Sequence, residues 1–121
     1  MRIGTRGSPL ALKQAYLIRE LLAHISQRDE KEFDILTFTT TGDQLTGPLI
    51  EWGGKGLFTK ELDSALLDGK IDIAVHSMKD VPTHLPENIC LAAILEREDP
   101  RDVWISSHFP RLADLPSGAK V

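Results

Sequence analysis

Ser8-Pro9 followed by a long apolar stripe is the feature that most constrains this chain. Leu10, Ala11, Leu17, Ile18, Leu21, Leu22 and Ile25 recur at helical spacing, with Gln14 the one polar member of that face. Ser8 can cap the free N–H groups at the helix start, and a proline suits the first helical position. Arg2–Thr5 just ahead of it reads as a short strand. A strand feeding a helix at once is the first half of a βαβ unit, and the remainder of the chain repeats the alternation. Glu32–Thr39, with Phe33, Ile35 and Phe38, predicts a strand, and Leu57–Leu67 a helix stopped by Gly69. Ile71–Val75 predicts a buried strand ending at His76, and Ile89–Leu95 another. Thr40–Gly56, with five glycines and a proline, predicts irregular chain. The fold class expected is α/β with a mainly parallel sheet.

Further on, Glu96–Asp102 is densely charged and holds Pro100, as a hinge or linker would. Val103–Ser106 reads as a new strand and Leu112–Leu115 as a short helix. The chain then runs through a turn toward a strand at Val121. A domain seldom stops on the first residue of a strand that needs partners, so a piece of a longer protein is expected. The domain reading is 1–95, hinge 96–102, and 103–121 as the start of a second domain.

Composition excludes several classes. At 121 residues, 41% hydrophobic and 26% charged, there is enough apolar surface to offset chain entropy, so disorder is excluded. The longest apolar run, Ile89–Leu95, is far too short to span a bilayer. Cys90 stands alone and suits a reducing compartment, which with no secretory signal points to the cytoplasm. A net charge of −4 argues against nucleic acid as a partner. Yet residues 1–24 carry Arg2, Arg6, Lys13 and Arg19 against Glu20 alone, a net +3, leaving −7 for the rest. A local site for a small anion would look like this, as would an accident of solvated surface.

Standard motifs fail. Gly53-Gly54-Lys55-Gly56 has Leu49 or Ile50 where a phosphate loop needs its first glycine, and Gly56 where it needs Ser or Thr. No dinucleotide fingerprint occurs, and His24, His76, His84 and His108 lack metal-ligand spacing, so no metal is expected. What remains is a constellation at the carboxyl edge of the sheet, where open parallel sheets bind ligands. Thr5-Arg6-Gly7-Ser8 follows the first strand and His76-Ser77-Met78-Lys79-Asp80 the Ile71 strand. The positive end of the Ser8-Pro9 helix would favour an anion there. Arg6 would add a planar fork, Lys79 a mobile charge, and Lys55 could close over the same place. The alternatives are plain: Arg6 and Lys79 solvated, Ser8 and Asp80 only caps, and His76 a satisfied structural histidine.

Four segments carry a resemblance. Thr5-Arg6-Gly7-Ser8-Pro9-Leu10-Ala11, Gly53 through Glu61, His76-Ser77-Met78-Lys79-Asp80-Val81-Pro82 and Arg97 through Asp102 resemble, in order, the porphobilinogen deaminase (hydroxymethylbilane synthase) family. The resemblance implies a three-domain enzyme whose first two domains are like type 2 periplasmic binding proteins, hinged around a cleft. It implies a transferase joining four porphobilinogen molecules into hydroxymethylbilane for haem and other tetrapyrroles, with ammonia released. A dipyrromethane cofactor would sit on a cysteine of a third domain absent from this chain, and not on Cys90, expected as a buried thiol. Asp80 matches the catalytic aspartate. Arg6, Ser8, Lys55, Ser77 and Lys79 match groups that bind the acetate and propionate arms of cofactor and substrate. Gln14 matches a residue near the cleft. Glu51 stands where some members have a lysine. The implied whole protein is a monomer acting on a small molecule, with no nucleic acid or membrane partner. The 121-residue chain alone is expected to be inactive and prone to self-association. The competing reading is a non-catalytic module of the periplasmic-binding type that binds a small carboxylate.

Overall fold

The computed structural model describes residues 1–45 and 56–120. They divide into two compact units, Met1–Cys90 and Leu91–Val121. In the first, strand β1 (Arg2–Arg6) leads through Gly7-Ser8 into helix α1 (Pro9–Ser26), followed by β2 (Asp34–Phe38). Then come a single helical turn α2 (Thr41–Gln44), helix α3 (Lys60–Leu67) and a two-residue strand β3 (Ile73–Ala74). The three strands are parallel in the order β2-β1-β3, with Ile3 opposite both Ile35 and Ile73.

Helix α1 begins as its sequence dictates. The Ser8 hydroxyl accepts from the Ala11 N–H at 3.3 Å, and Pro9 takes the first turn. Gln27 ends it in the left-handed region at φ 54°. Strand β1 is covered on both faces, as a central parallel strand must be: the consecutive residues Ile3, Gly4 and Thr5 are all buried. Ile3, Ala15, Ala23 and Phe33 form one core, with Ile73 and Val75 packed against it. Leu62, Ala65 and Ile71 form a second, which takes in Ala74. Alternate residues of one strand thus serve different cores, which sets α1 and α3 on opposite faces of the sheet. Gly4 is required where it is, because a Cβ there would lie 2.3 Å from the Ile71 Cδ1. Arg2 clamps the amino edge through its guanidinium and its own N–H, each 2.6 Å from the Asp72 carboxylate.

Five expectations are corrected. The Ile71–Val75 strand is a ladder of only two residues, although the N–H groups of Asp72 and Val75 also donate to β1 carbonyls at 2.9 Å. Neither Ile89–Leu95 nor Val103–Ser106 is a strand. Among the described residues no neighbour pairs with them, and Ile94, Val103 and Ile105 are 68%, 79% and 88% exposed. A strand without a partner leaves its backbone groups to water and has no reason to persist. Cys90, expected in the core, is exposed for the same cause. Residues 91–120 hold one regular element, a 3₁₀ turn at Leu112–Asp114 where a short helix is expected. Thr40–Gly56 contains α2, and residues 46–55 lie outside the described residues.

Candidate functional site

The connection from β1 runs to one neighbour and the return from β2 crosses to the other, so the carboxyl end of β1 is a topological switch point. Arg6 ends β1 at that point. The chain leaving β2 delivers Thr40 and α2, and the chain leaving β3 delivers His76, Ser77 and a 3₁₀ turn at Met78–Asp80. The Asp80 N–H donates to the Ser77 carbonyl at 2.9 Å, which fixes that turn.

A cavity of about 80 Å³ opens between the ends of β1 and β3. Arg6, Ser8, Gln14, Ser77, Lys79 and Asp80 all line it, beside His76. The sequence-predicted residues are therefore brought together, save Lys55, which with Glu51 lies outside the described residues. The Ser77 hydroxyl donates to the Gln14 Oε1 at 3.1 Å and so joins the two loops across 63 residues of sequence. Ser8 keeps its cap, and that cap uses an oxygen lone pair, so its own proton stays able to donate into the cavity. A larger, open groove of about 990 Å³ lies between α1 and β2, but its rim of Arg19, Glu20, Arg28 and Glu30 mixes both signs.

Arg6 is differently disposed from the free fork expected of it. Its Nε donates to the Asp43 Oδ1 at 3.1 Å, and its Nη2 donates to the same oxygen. The Phe58 ring lies under the guanidinium, its centroid 4.1 Å from Cζ, a cation–π contact. Its Nη1 lies 3.7 Å from the Asp80 Oδ2, and the Nη1–Nη2 end keeps N–H groups that Asp43 does not take. The Arg6, Asp43 and Asp80 side chains are 19%, 24% and 22% exposed, so these charges interact across partly desolvated space. Asp43 is itself held: the fully buried Thr40 donates to its Oδ2 from the hydroxyl at 2.8 Å and the backbone at 3.1 Å. The Arg6 bond, helped by Thr40, lowers the Asp43 carboxyl to about 2. Counting Arg6 and Lys79 against Asp43 and Asp80, the described charges of the site balance.

His76 corrects a second expectation. Its Nε2 is buried and has no partner among the described residues, so it is not a satisfied core histidine. Burial lowers its pKa; Asp63 and Asp80 oppose that, and Arg6 adds to it. A neutral imidazole beside a carboxylate can hand on a proton, and the cavity's cationic and hydroxyl donors can hold a small carboxylate. Asp43 and Phe58 are the participants that reading the sequence missed. The signal was present in Thr39-Thr40-Thr41-Gly42-Asp43, which leaves the carboxyl end of a predicted strand as Arg6 and His76 do. Among the described residues no cluster of three metal-ligating side chains occurs, and no helix is long and apolar enough to cross a membrane.

Known proteins share this sequence throughout. "Porphobilinogen deaminase, chloroplastic" of Pisum sativum is 56% identical over 100% of the chain, and the Oryza sativa subsp. japonica protein of the same name is also 56% identical over 100%. "Porphobilinogen deaminase" of Nitrobacter winogradskyi is 57% identical over 98%. The chain spans about a third of these relatives, 34%, 35% and 38% of their lengths. The family described as "Porphobilinogen deaminase, dipyromethane cofactor binding domain" matches residues 1–121, and with the switch-point site carrying its motifs the chain belongs to the porphobilinogen deaminase family.

Proposed function

We propose that the complete protein joins four porphobilinogen molecules head to tail, one ammonia leaving at each addition, and that one water then cleaves the chain from its primer and supplies the hydroxyl of hydroxymethylbilane. The observation that supports this most is Asp80, a carboxylate 3.7 Å from Arg6 in a cavity that Arg6, Lys79, Ser8 and Ser77 also line. Porphobilinogen carries two carboxylates and a basic amine, and such a cavity offers groups for both. At each addition the carbon–nitrogen bond breaks and ammonia leaves with its electron pair. An electron-poor azafulvene remains, whose positive charge a fixed carboxylate stabilises. A carbon–carbon bond then forms, and the displaced pyrrole proton passes to a base. Asp80 serves both as counter-ion and as proton carrier at the pyrrole nitrogen and the departing amine.

The donor set also fits the acetate and propionate arms of a dipyrromethane, with the Nη1–Nη2 end of Arg6, Ser8 and Lys79 as holding groups, Ser77 once its proton turns from Gln14, and Lys55 as a further cation. When bound, that group supplies the pyrrole carbon that primes growth. Its covalent link is assigned to a cysteine outside this chain, since Cys90 does not line the cavity. Residues 1–95 are read as a domain of the type 2 periplasmic-binding kind, 96–102 as its hinge and 103–121 as the start of a second. The two-faced parallel sheet with a switch-point site supports that reading. The complete protein is proposed to be monomeric and, from its free exposed Cys90, to work in the reducing cytoplasm; the pea and rice relatives are named chloroplastic. Neither nucleic acid nor a membrane is among its proposed partners.

The test is the intact mass of this gene's product from its own cells. A mass well above 13.4 kDa, carrying two linked pyrroles, supports the proposal. An unmodified protein with no turnover would instead favour a module that binds small carboxylates without chemistry. The purified 121-residue chain, without the primer, is expected to form no hydroxymethylbilane.

A further inference from the structure

We infer that Asp43 is a positioning residue for the anion site: it takes the Nε–Nη2 edge of Arg6 and leaves the Nη1–Nη2 end to meet ligand and Asp80. Three independent features converge on that assignment. Both donors of one guanidinium edge end on the Asp43 carboxylate. Phe58 covers one face of the same guanidinium. Thr40, buried at the end of the second strand's exit, donates twice to Asp43 and fixes it in turn. The backbone carries the arrangement further. The Gly42 N–H donates to the Leu57 carbonyl at 2.8 Å, and Thr41 donates to Glu61 from its N–H and hydroxyl at 3.0 and 2.6 Å. Thus α2, which bears Asp43, is fastened to the segment bearing Phe58.

The consequence is specific. A free arginine could present either of its two-donor edges to a substrate carboxylate, or close on Asp80 and tie up the proton carrier. Held by Asp43, Arg6 offers only its Nη1–Nη2 end, at a fixed place, and is kept from swinging onto Asp80. Without Asp43 the nearest remaining carboxylate to the guanidinium is that of Asp80.

This inference rests on the porphobilinogen reading for its kinetic consequence only, and the experiment separates the two. In the complete protein, the Arg6 Nε–H is followed by nitrogen-15 NMR, with no substrate present. Wild type is expected to show a slowly exchanging Nε–H, and Asp43→Asn to lose that protection. Next, KM and kcat for porphobilinogen are measured in a double-mutant cycle of Asp43→Asn with Arg6→Ala. Asp43→Asn alone is expected to lower kcat/KM by at least about tenfold, the scale of a lost charge-assisted hydrogen bond. In the Arg6→Ala background it is expected to change nothing further. Asp43→Glu, which restores the charge, should recover part of the loss. Additive effects, or an Nε–H unaltered by Asp43→Asn, overturn the inference. Absence of any porphobilinogen turnover in wild type overturns the functional reading and leaves the NMR arm to decide this one. Should Asp43→Asn fail to fold, Asp43→Glu, whose longer arm must shift the fork, carries both arms.

Discussion

Arg6 shows how residue type and residue role part company. Its place at the end of β1 was legible from the sequence, because strand ends at a switch point are few and the chain supplies few arginines there. Its commitment to Asp43 was not, since that contact joins residues 37 apart through the folding of α2 against α3. The same pair makes stability depend on acidity. The Asp43 carboxyl lies near 2 in the fold against an ordinary 3.8, so its contribution is full above about pH 4 and is lost as pH falls through about 2. Urea unfolding of wild type and Asp43→Asn between pH 5 and 2 is expected to show a shallower decline in the variant across that window. His76 works in the same direction at higher pH. It is lowered from 6.5 by burial, so the neutral form is the folded one, and stability is expected to fall as pH drops below 6.5 toward its lowered value. His76→Gln should flatten that part of the profile, measured by thermal unfolding from pH 7.5 to 5.

Among the elements, those with two local signals were read correctly. Helix α1 had both a cap and a stripe, and its bounds, Pro9–Ser26, fall within a residue or so of that reading. Apolar runs alone misled. Ile89–Leu95 and Val103–Ser106 have the composition of buried strands, but composition does not supply a neighbour to pair with. Helix α3 was read as Leu57–Leu67 but begins at Lys60, with Leu57 and Phe58 in the turn before it; Leu62, Ala65 and Leu66 carried the true signal, and Leu62 is fully buried in its core. Leu62→Ala is expected to cost about 2–5 kcal/mol in urea unfolding, the cost of a cavity against the sheet. Gly42 was counted only as one of several glycines in an irregular stretch, yet a Cβ there would meet the Phe58 Cε1 at 2.3 Å. Gly42→Ala is expected to push that ring off Arg6 and to destabilise by about 1–3 kcal/mol, read by unfolding and by loss of Arg6 Nε–H protection.

At the scale of the whole molecule, the order β2-β1-β3 brings three strand ends to one place, and each contributes a charge or a donor: Asp43 after β2, Arg6 on β1, Asp80 after β3. The described charges there cancel, so a ligand with two carboxylates would call for cations beyond these four side chains. That balance was invisible in the sequence, where Arg6 and Lys79 looked like surplus positive charge. Edges matter as well: β2 and β3 each have one hydrogen-bonded neighbour among the described residues, and the 121-residue chain is expected to self-associate through them, read by sedimentation. The central claim, that Asp80 performs chemistry and is more than a partner for Arg6, is tested most directly by Asp80→Asn in the complete protein. The measurement is kcat and KM for porphobilinogen, beside equilibrium binding. Asp80→Asn is expected to lower kcat by about 10²–10⁴-fold with binding retained within a few fold. An unchanged kcat, or a loss confined to binding, would contradict it.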